Sequence, residues 1–372
     1  MNSPKQTSDT EKLREQCDVQ EKSKQPLVRV NRLAYLRFPR KDLEKAIAFF
    51  LDFGLILGEK SLDEKNEGLA YFRGIDRRNY AIILDSQEGA KAAIGLEVDN
   101  LKDLEKLSKQ SGNPIQTRHC PLGGRYVALQ DPENNRVEVN FGLQTLTEIS
   151  AIKGTLSNTP TKHPRLNSVV RPALSPSPIS RLGHTVFGVA NIKKTVEWYQ
   201  NTLGFIASDF QMLGDDPIPS VAFLRCDTGS TPADHHTIAI GSAIDIGHLH
   251  TAFEVNDIDT IAMGGKWLKQ KGYKHSWGIG RHILGSQIFD YWRDPWGFQF
   301  EHYSDGDLFD STISTGYELF HGDSMHQWGP DVTKDMLGNK ISFTLLKTVL
   351  RRLFTKGDLN AKRLKAMIKA TS

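Results

Sequence analysis

This chain has few cysteines, no long apolar run and almost no net charge. Among its 372 residues only Cys17, Cys120 and Cys226 carry thiols, scattered and without a CxxC or related spacing. That excludes a disulfide framework and a zinc–thiolate site, and it suits a reducing, cytoplasmic setting. No stretch of about 18 consecutive apolar residues occurs, so no membrane-spanning helix is expected. The opening MNSPKQTSDTEKLREQ has no apolar segment of the kind a secretory signal needs. A formal charge of +3 is too small over this length to imply a nucleic-acid partner.

What remains is a globular composition long enough for two domains, each burying its own core. Residues 1–27 are polar and charged, as in a flexible arm. A Pro- and Ser-rich stretch, SNTPTKHPRLNSVVRPALSPSPIS, marks 145–180 as an extended linker. It separates an N-terminal domain over 28–144 from a C-terminal one over 181–330, and a basic tail covers 331–372. The two domains resemble each other. LAYLRFPRKDLEKAIAFFLDFGL from Leu33 aligns without a gap on GHTVFGVANIKKTVEWYQNTLGF from Gly183. In both, an alternating strand runs into a helix with apolar positions at helical spacing: Leu43, Ile47 and Phe50 in one, Ile192, Val196 and Tyr199 in the other. Gly54 and Gly204 follow as C-terminal caps. AAIGLEVDNLKDLEKL pairs with HTAFEVNDIDTIAMGG, and DPENNRVEV with DPWGFQFEH. Each domain therefore holds two strand–helix–strands units, four in all.

The C-terminal copy alone carries a chemical constellation. His184 lies in LGHTVFGV, His250 opens HTAFEV and Glu301 closes GFQFEHY. Two imidazoles and one carboxylate from three strands are the ligand set of an open, non-haem Fe(II) site. Laid on the N-terminal copy segment by segment, His184 falls on Ala34, His250 on Ala93 and Glu301 on Glu138, so the first domain is expected to be metal-free.

The ordered series GHTVFGV, HTAFEV and DPWGFQFE resembles the vicinal oxygen chelate superfamily, and within it the two-domain extradiol catechol dioxygenases acting on catechol or 2,3-dihydroxybiphenyl. The resemblance implies an α+β fold of four βαβββ modules in two domains, each a curled mixed sheet enclosing a funnel. It implies a metal held by His184, His250 and Glu301, iron(II) or alternatively Mn(II), with an aromatic diol and O2 as substrates and a homo-oligomeric assembly. The intervals joining His282, Tyr291 and Glu301 resemble a pocket histidine, a pocket tyrosine and the metal glutamate of that family. Tyr291 would hydrogen-bond a substrate oxygen, and His282 would orient the substrate or assist proton transfer. His236 in DHHTIAIG is the expected acid/base group, with His235 as its rival. His248 is expected beside the site or exposed, and Trp328 at the pocket border or in packing. Two other readings stay open. One is another metal enzyme of the superfamily, a glyoxalase-like isomerase or a hydroxyphenylpyruvate-type dioxygenase; the other is a binding protein without chemistry. The tail carries an apolar stripe, Leu346, Val349, Leu350 and Leu353, on a basic helix. Such a helix packs on a subunit or touches an anionic membrane surface.

Overall fold

The computed structural model describes residues 4–62, 67–150, 154, 156–244, 246–336, 343–354 and 357–371. After an N-terminal helix α1 (Pro4–Gln16), the first module runs β1 (Arg32–Pro39), α2 (Leu43–Phe53), β2 (Ile56–Leu62), β3 (Gly68–Arg73) and β4 (Ile82–Asp85). The second is β5 (Ala93–Glu97), α3 (Leu101–Ser111), β6 (Gln116–Thr117), β7 (Arg125–Gln130) and β8 (Arg136–Phe141). The third is β9 (Ile179–Val189), α4 (Ile192–Leu203), β10 (Ile206–Met212), β11 (Val221–Arg225), the short β12 (Ala233–Asp234) and β13 (Ile238–Ser242). The fourth is β14 (Gly247–Val255), α5 (Ile258–Gln270), β15 (Lys274–Arg281), β16 (Ile288–Arg293) and β17 (Gln299–Ser304), followed by β18 (Leu308–Phe309) and β19 (Gly316–Leu319).

The strand order shows the repeat directly. One sheet reads β2-β3-β4-β1-β5-β8-β7-β6 and the other β15-β16-β17-β14-β9-β13-β11-β10-β19. In each module the first strand lies parallel to the last, as β1 does to β4 and β14 to β17. The two first strands of a half then pair antiparallel, β1 with β5 and β9 with β14. Both sheets are mixed and open, with helices alongside, which is the expected α+β arrangement.

The helices form where the sequence says. Asp42 caps α2 by accepting a hydrogen bond from the Lys45 amide, and Asn191 does the same for α4 through Lys194. Gly54 and Gly204 end these helices in the left-handed region at φ 111° and 76°. A side chain at Gly54 would also collide with the Ser177 carbonyl.

Helix α2 is the wedge between the halves. Its Phe49, Phe50 and Phe53 all pack against Phe300 on β17, and Trp267 donates to Asp52 at 3.0 Å. His302 donates through Nε2 to the Phe53 carbonyl at 2.7 Å while stacking on the Phe53 ring at 3.8 Å. Burial pushes the His302 imidazole from an ordinary 6.5 to about 4. Below pH about 6.5 the unfolded chain therefore takes up a proton that the native chain refuses, and stability falls until about pH 4. The loss from this one residue is about 3 kcal/mol. Calorimetry between pH 7.5 and 4.5 is expected to show a falling melting temperature, with a shallower slope in His302→Gln, which keeps a donor but does not titrate. Equal slopes would remove His302 from the acid response.

The N-terminal segment departs from expectation, and the C-terminal one is helical as expected but held in an unexpected way. Residues 4–27, expected as a flexible arm, carry α1 and then run along the C-terminal half. Leu13 and Val19 are buried, the Gln200 amide donates to the Gln20 carbonyl at 2.8 Å, and Tyr317 donates to Glu21 at 3.0 Å. Two apolar anchors and a string of backbone acceptors hold a segment whose composition is otherwise polar. At the other end α6 (Phe343–Leu353) and α7 (Ala361–Thr371) are helical. The anchoring is polar, however. Arg352 donates to the Ala243 and Ile244 carbonyls at 2.6 Å, Arg363 to the Pro219 carbonyl at 2.6 Å, and Asp358 accepts from the Ile192 amide at the start of α4. Leu350 of the expected apolar stripe is half exposed, and the Leu346 side chain lies outside the described residues.

Candidate metal centre

Three neighbouring strands bring the ligand set together. On the β9–β14 ladder His184 faces Ala252, and on the β14–β17 ladder Ala252 faces Glu301. His250 lies two residues from Ala252, hence on the same face of the sheet. One ligand atom from each of His184, His250 and Glu301 lies within 4.8 Å of the others. The Nε2 atoms of both histidines are 3.4 Å from Glu301 Oε2.

The chemistry of this trio fits a cation. Glu301 is fully buried, yet neither of its carboxylate oxygens has a hydrogen-bond donor. A buried carboxylate in that condition is costly unless a positive charge meets it. Burial works against the charge of Glu301, but His184 and His250 beside it more than offset this and hold the carboxyl well below its ordinary range. Burial likewise keeps the His184 imidazole neutral, lowering its pKa. An ionised carboxylate and a neutral imidazole are the protonation states that metal ligation requires.

The other candidates surround the same cluster. Tyr291 faces Glu301 across β16 and β17. His282 donates through Nδ1 to the Met325 carbonyl at 2.8 Å, which leaves Nε2 to accept from the Tyr291 hydroxyl at 3.0 Å. Its Nε2 is 3.8 Å from Glu301 Oε1. Burial lowers the His282 pKa to about 4, and burial together with Glu301 raises that of Tyr291 far above its usual value. At neutral pH both are uncharged. His236 is buried, its ring centroid 4.0 Å from that of His184. His235, its rival, points the other way, toward Asp209. His250 and His282 retain 12% and 15% side-chain exposure where their neighbours have almost none, so solvent and ligand reach the cluster on their side.

His248 contributes no ligand atom; it bonds Thr251 Oγ1 at 2.7 Å and packs among Phe38, Phe187 and Phe300. Trp328 is 43% exposed and is tied by its backbone carbonyl to the Arg281 amide. Two features were not legible in the sequence. The Met325 carbonyl that anchors His282 is a main-chain group and leaves no residue signal. Asp209 in IASDFQM bears no telling spacing to any histidine.

The N-terminal half contains the same site refilled. The ladders place Glu138 where Glu301 lies, Ala93 where His250 lies, and Tyr35 where His184 lies. Gapless alignment had put Ala34 at the last position. In both halves one residue bulges out of the ladder, Ala34 and Gly183, so the true offset along the strand is one residue shorter. α4 is one residue longer than α2, which restores the alignment at the C-terminal glycine caps and hides the slip. Continuing the registers, Arg118 follows β6 as His282 follows β15. Its guanidinium bonds Glu138 at 2.6 Å, and Tyr35 donates to the same carboxylate oxygen at 2.5 Å. Glu138, like Glu301, is buried; here a guanidinium supplies the positive charge.

Residues 181–302 match the family model described as Glyoxalase/Bleomycin resistance protein/Dioxygenase superfamily. Among curated relatives, "Metapyrocatechase 2" of Cupriavidus necator is 32% identical over 214 residues, covering 56% of this chain and 62% of that protein's length. "3-methylcatechol 2,3-dioxygenase" of Pseudomonas putida is 25% identical over 295 residues, covering 73% of this chain and 89% of its own. Among solved structures, the Mn(II)-bound glyoxalase from Novosphingobium aromaticivorans superimposes with a TM-score of 0.65 at 23% identity, over 82% of this chain and 94% of that one.

Proposed function

We propose that the chain is a member of the glyoxalase, bleomycin resistance protein and dioxygenase superfamily, whose model matches residues 181–302, and within it an extradiol dioxygenase opening a catechol-type ring beside its diol. The observation that carries this is the cluster of His184, His250 and Glu301, in which the fully buried Glu301 has no donor to either carboxylate oxygen. The two relatives named for catechol cleavage support it. In this reading residues 181–330 perform the chemistry and 28–144 support them.

His184, His250 and Glu301 would hold a divalent metal, Fe(II) or Mn(II), which supplies Lewis acidity and open positions for both diol oxygens and O2. The protein's own groups manage protons and water. His236, uncharged because burial and the surrounding imidazoles push its pKa far down, is the base that receives a diol proton and later returns it. The Tyr291 hydroxyl, kept protonated, exchanges its bond to His282 for one to a diol oxygen and so favours the ionised oxygen. His282, pinned by the Met325 carbonyl, fixes where that hydroxyl sits. Trp277 and Phe289, both fully buried, flank Tyr291 and His282 and exclude water from that wall.

The trial is anaerobic reconstitution with Fe(II), then air with catechol, 3-methylcatechol and 2,3-dihydroxybiphenyl in turn. A yellow product from at least one, with oxygen uptake, is expected, and both are lost in His250→Ala. Bound iron without oxygen uptake on any of the three would turn the assignment to an isomerase of the same superfamily. Failure to bind metal would turn it to a binding protein.

A further inference from the structure

Behind His236 runs a hydrogen-bonded chain that supplies no metal ligand. Asp209 on β10 accepts from His235 Nε2 at 2.5 Å, and His235 Nδ1 lies 2.9 Å from His236 Nδ1. The backbone on either side of the His235 ring is clamped. Its amide donates to the Asp307 carbonyl at 2.9 Å, and its carbonyl accepts from Ser208 Oγ at 2.5 Å. Phe223 and Phe309 flank the ring at 5.6 Å and 5.4 Å.

The connectivity assigns the protons. A carboxylate only accepts, so His235 Nε2 carries hydrogen. A neutral imidazole bears one N–H, which leaves His235 Nδ1 bare. Of the two facing Nδ1 atoms one must donate, and it is that of His236. The buried guanidinium of Arg225, fixed on Ser208 Oγ at 2.9 Å and the Ile313 carbonyl at 2.9 Å, sets a positive charge in this region, with Asp227 and Asp310 near it and Glu318 on the adjoining β19 near Asp209.

We propose that Asp209 and His235 are positioning residues that lock His236 as the Nδ1–H tautomer, leaving Nε2 across the ring as a bare acceptor for the substrate's proton. The proposal rests on the reading of His236 as the base. A ring free to flip or to exchange tautomers would spend part of its time with Nε2 protonated and unable to act.

The test reads the tautomer itself. In the full chain labelled with 15N-histidine and without added metal, long-range proton–nitrogen correlation is expected to show His236 with a protonated Nδ1 and a bare Nε2. His235 should show the reverse. Asp209→Ala and His235→Phe should each give His236 mixed tautomers. In reconstituted enzyme, kcat should fall about 10- to 100-fold with KM and bound metal unchanged. A wild-type His236 protonated at Nε2, a doubly protonated His235, or an unaltered His236 signal in Asp209→Ala would overturn the proposal. The wild-type spectrum decides even if a variant fails to fold. The predicted spectrum in a protein that cleaves no catechol would sustain the lock and fail the ring-cleavage reading instead.

Discussion

Glu301→Ala is expected to abolish both ring cleavage and the thermal stabilisation that Fe(II) gives the wild-type chain. Three ligand atoms within 4.8 Å form the cluster, and Glu301 is its only anion. Without it two neutral imidazoles remain, and the charge that holds a divalent ion is gone. A ligand present at about 100 times its Kd stabilises the native state by about 2.7 kcal/mol, a shift of several degrees in Tm for a protein of this size. Differential scanning fluorimetry with and without Fe(II) measures it, and oxygen uptake measures the activity. Glu301→Gln, which keeps the shape but not the charge, should lie between the two. An iron-dependent rise of equal size in Glu301→Ala would mean that the stabilising metal sits elsewhere.

Arg118→Ala is expected to destabilise the fold strongly without reducing metal binding. Glu138 and Arg118 are 2% and 6% exposed, and the guanidinium is the buried cation facing the carboxylate; Arg136 approaches the other oxygen from the surface at 34% exposure. Arg118 also stacks 3.9 Å over the Tyr126 ring. Its removal strands a carboxylate whose pKa the arginine holds down, against burial, at about 2. Breaking one side of a buried pair costs about 3–5 kcal/mol. The double variant Arg118→Met/Glu138→Leu, which removes both charges, should recover much of that loss, and a thermal or urea titration of the three proteins reads it. If the double variant is no more stable than Arg118→Ala, packing of the arginine and not its charge is what matters.

The contrast between these two glutamates shows how the halves came to differ. Each occupies the same rung of the same module. In one half histidines stand at two further rungs and the carboxylate has no organic cation beside it, while in the other tyrosine and alanine take those rungs and an arginine supplies the positive charge. The absence of His184 and His250 counterparts is plain in the amino-acid series. That Arg118 takes over the charge is not, because Arg118 reaches Glu138 from a strand end twenty residues away, and only the ladder registers show their proximity.

Much of this protein was written in local patterns. Alternating strands, helices with apolar residues at three- and four-residue spacing, Asp42 and Asn191 before them, Gly54 and Gly204 after them, all act over a few residues, so the four modules and their order could be read directly. The trio His184, His250 and Glu301 could be read because each sits in a recognisable strand segment and the internal repeat supplies a control. Folding in three dimensions settled what depends on chain distance. The bulges at Ala34 and Gly183 shifted the strand equivalence by one residue. Polar termini found partners in Gln200 and in backbone carbonyls far along the chain. His235 was turned to Asp209, 26 residues away, and so set behind His236. Hydrogen bonds between distant residues impose no periodicity on sequence, and it is these bonds that fix the orientation of the groups around the cluster.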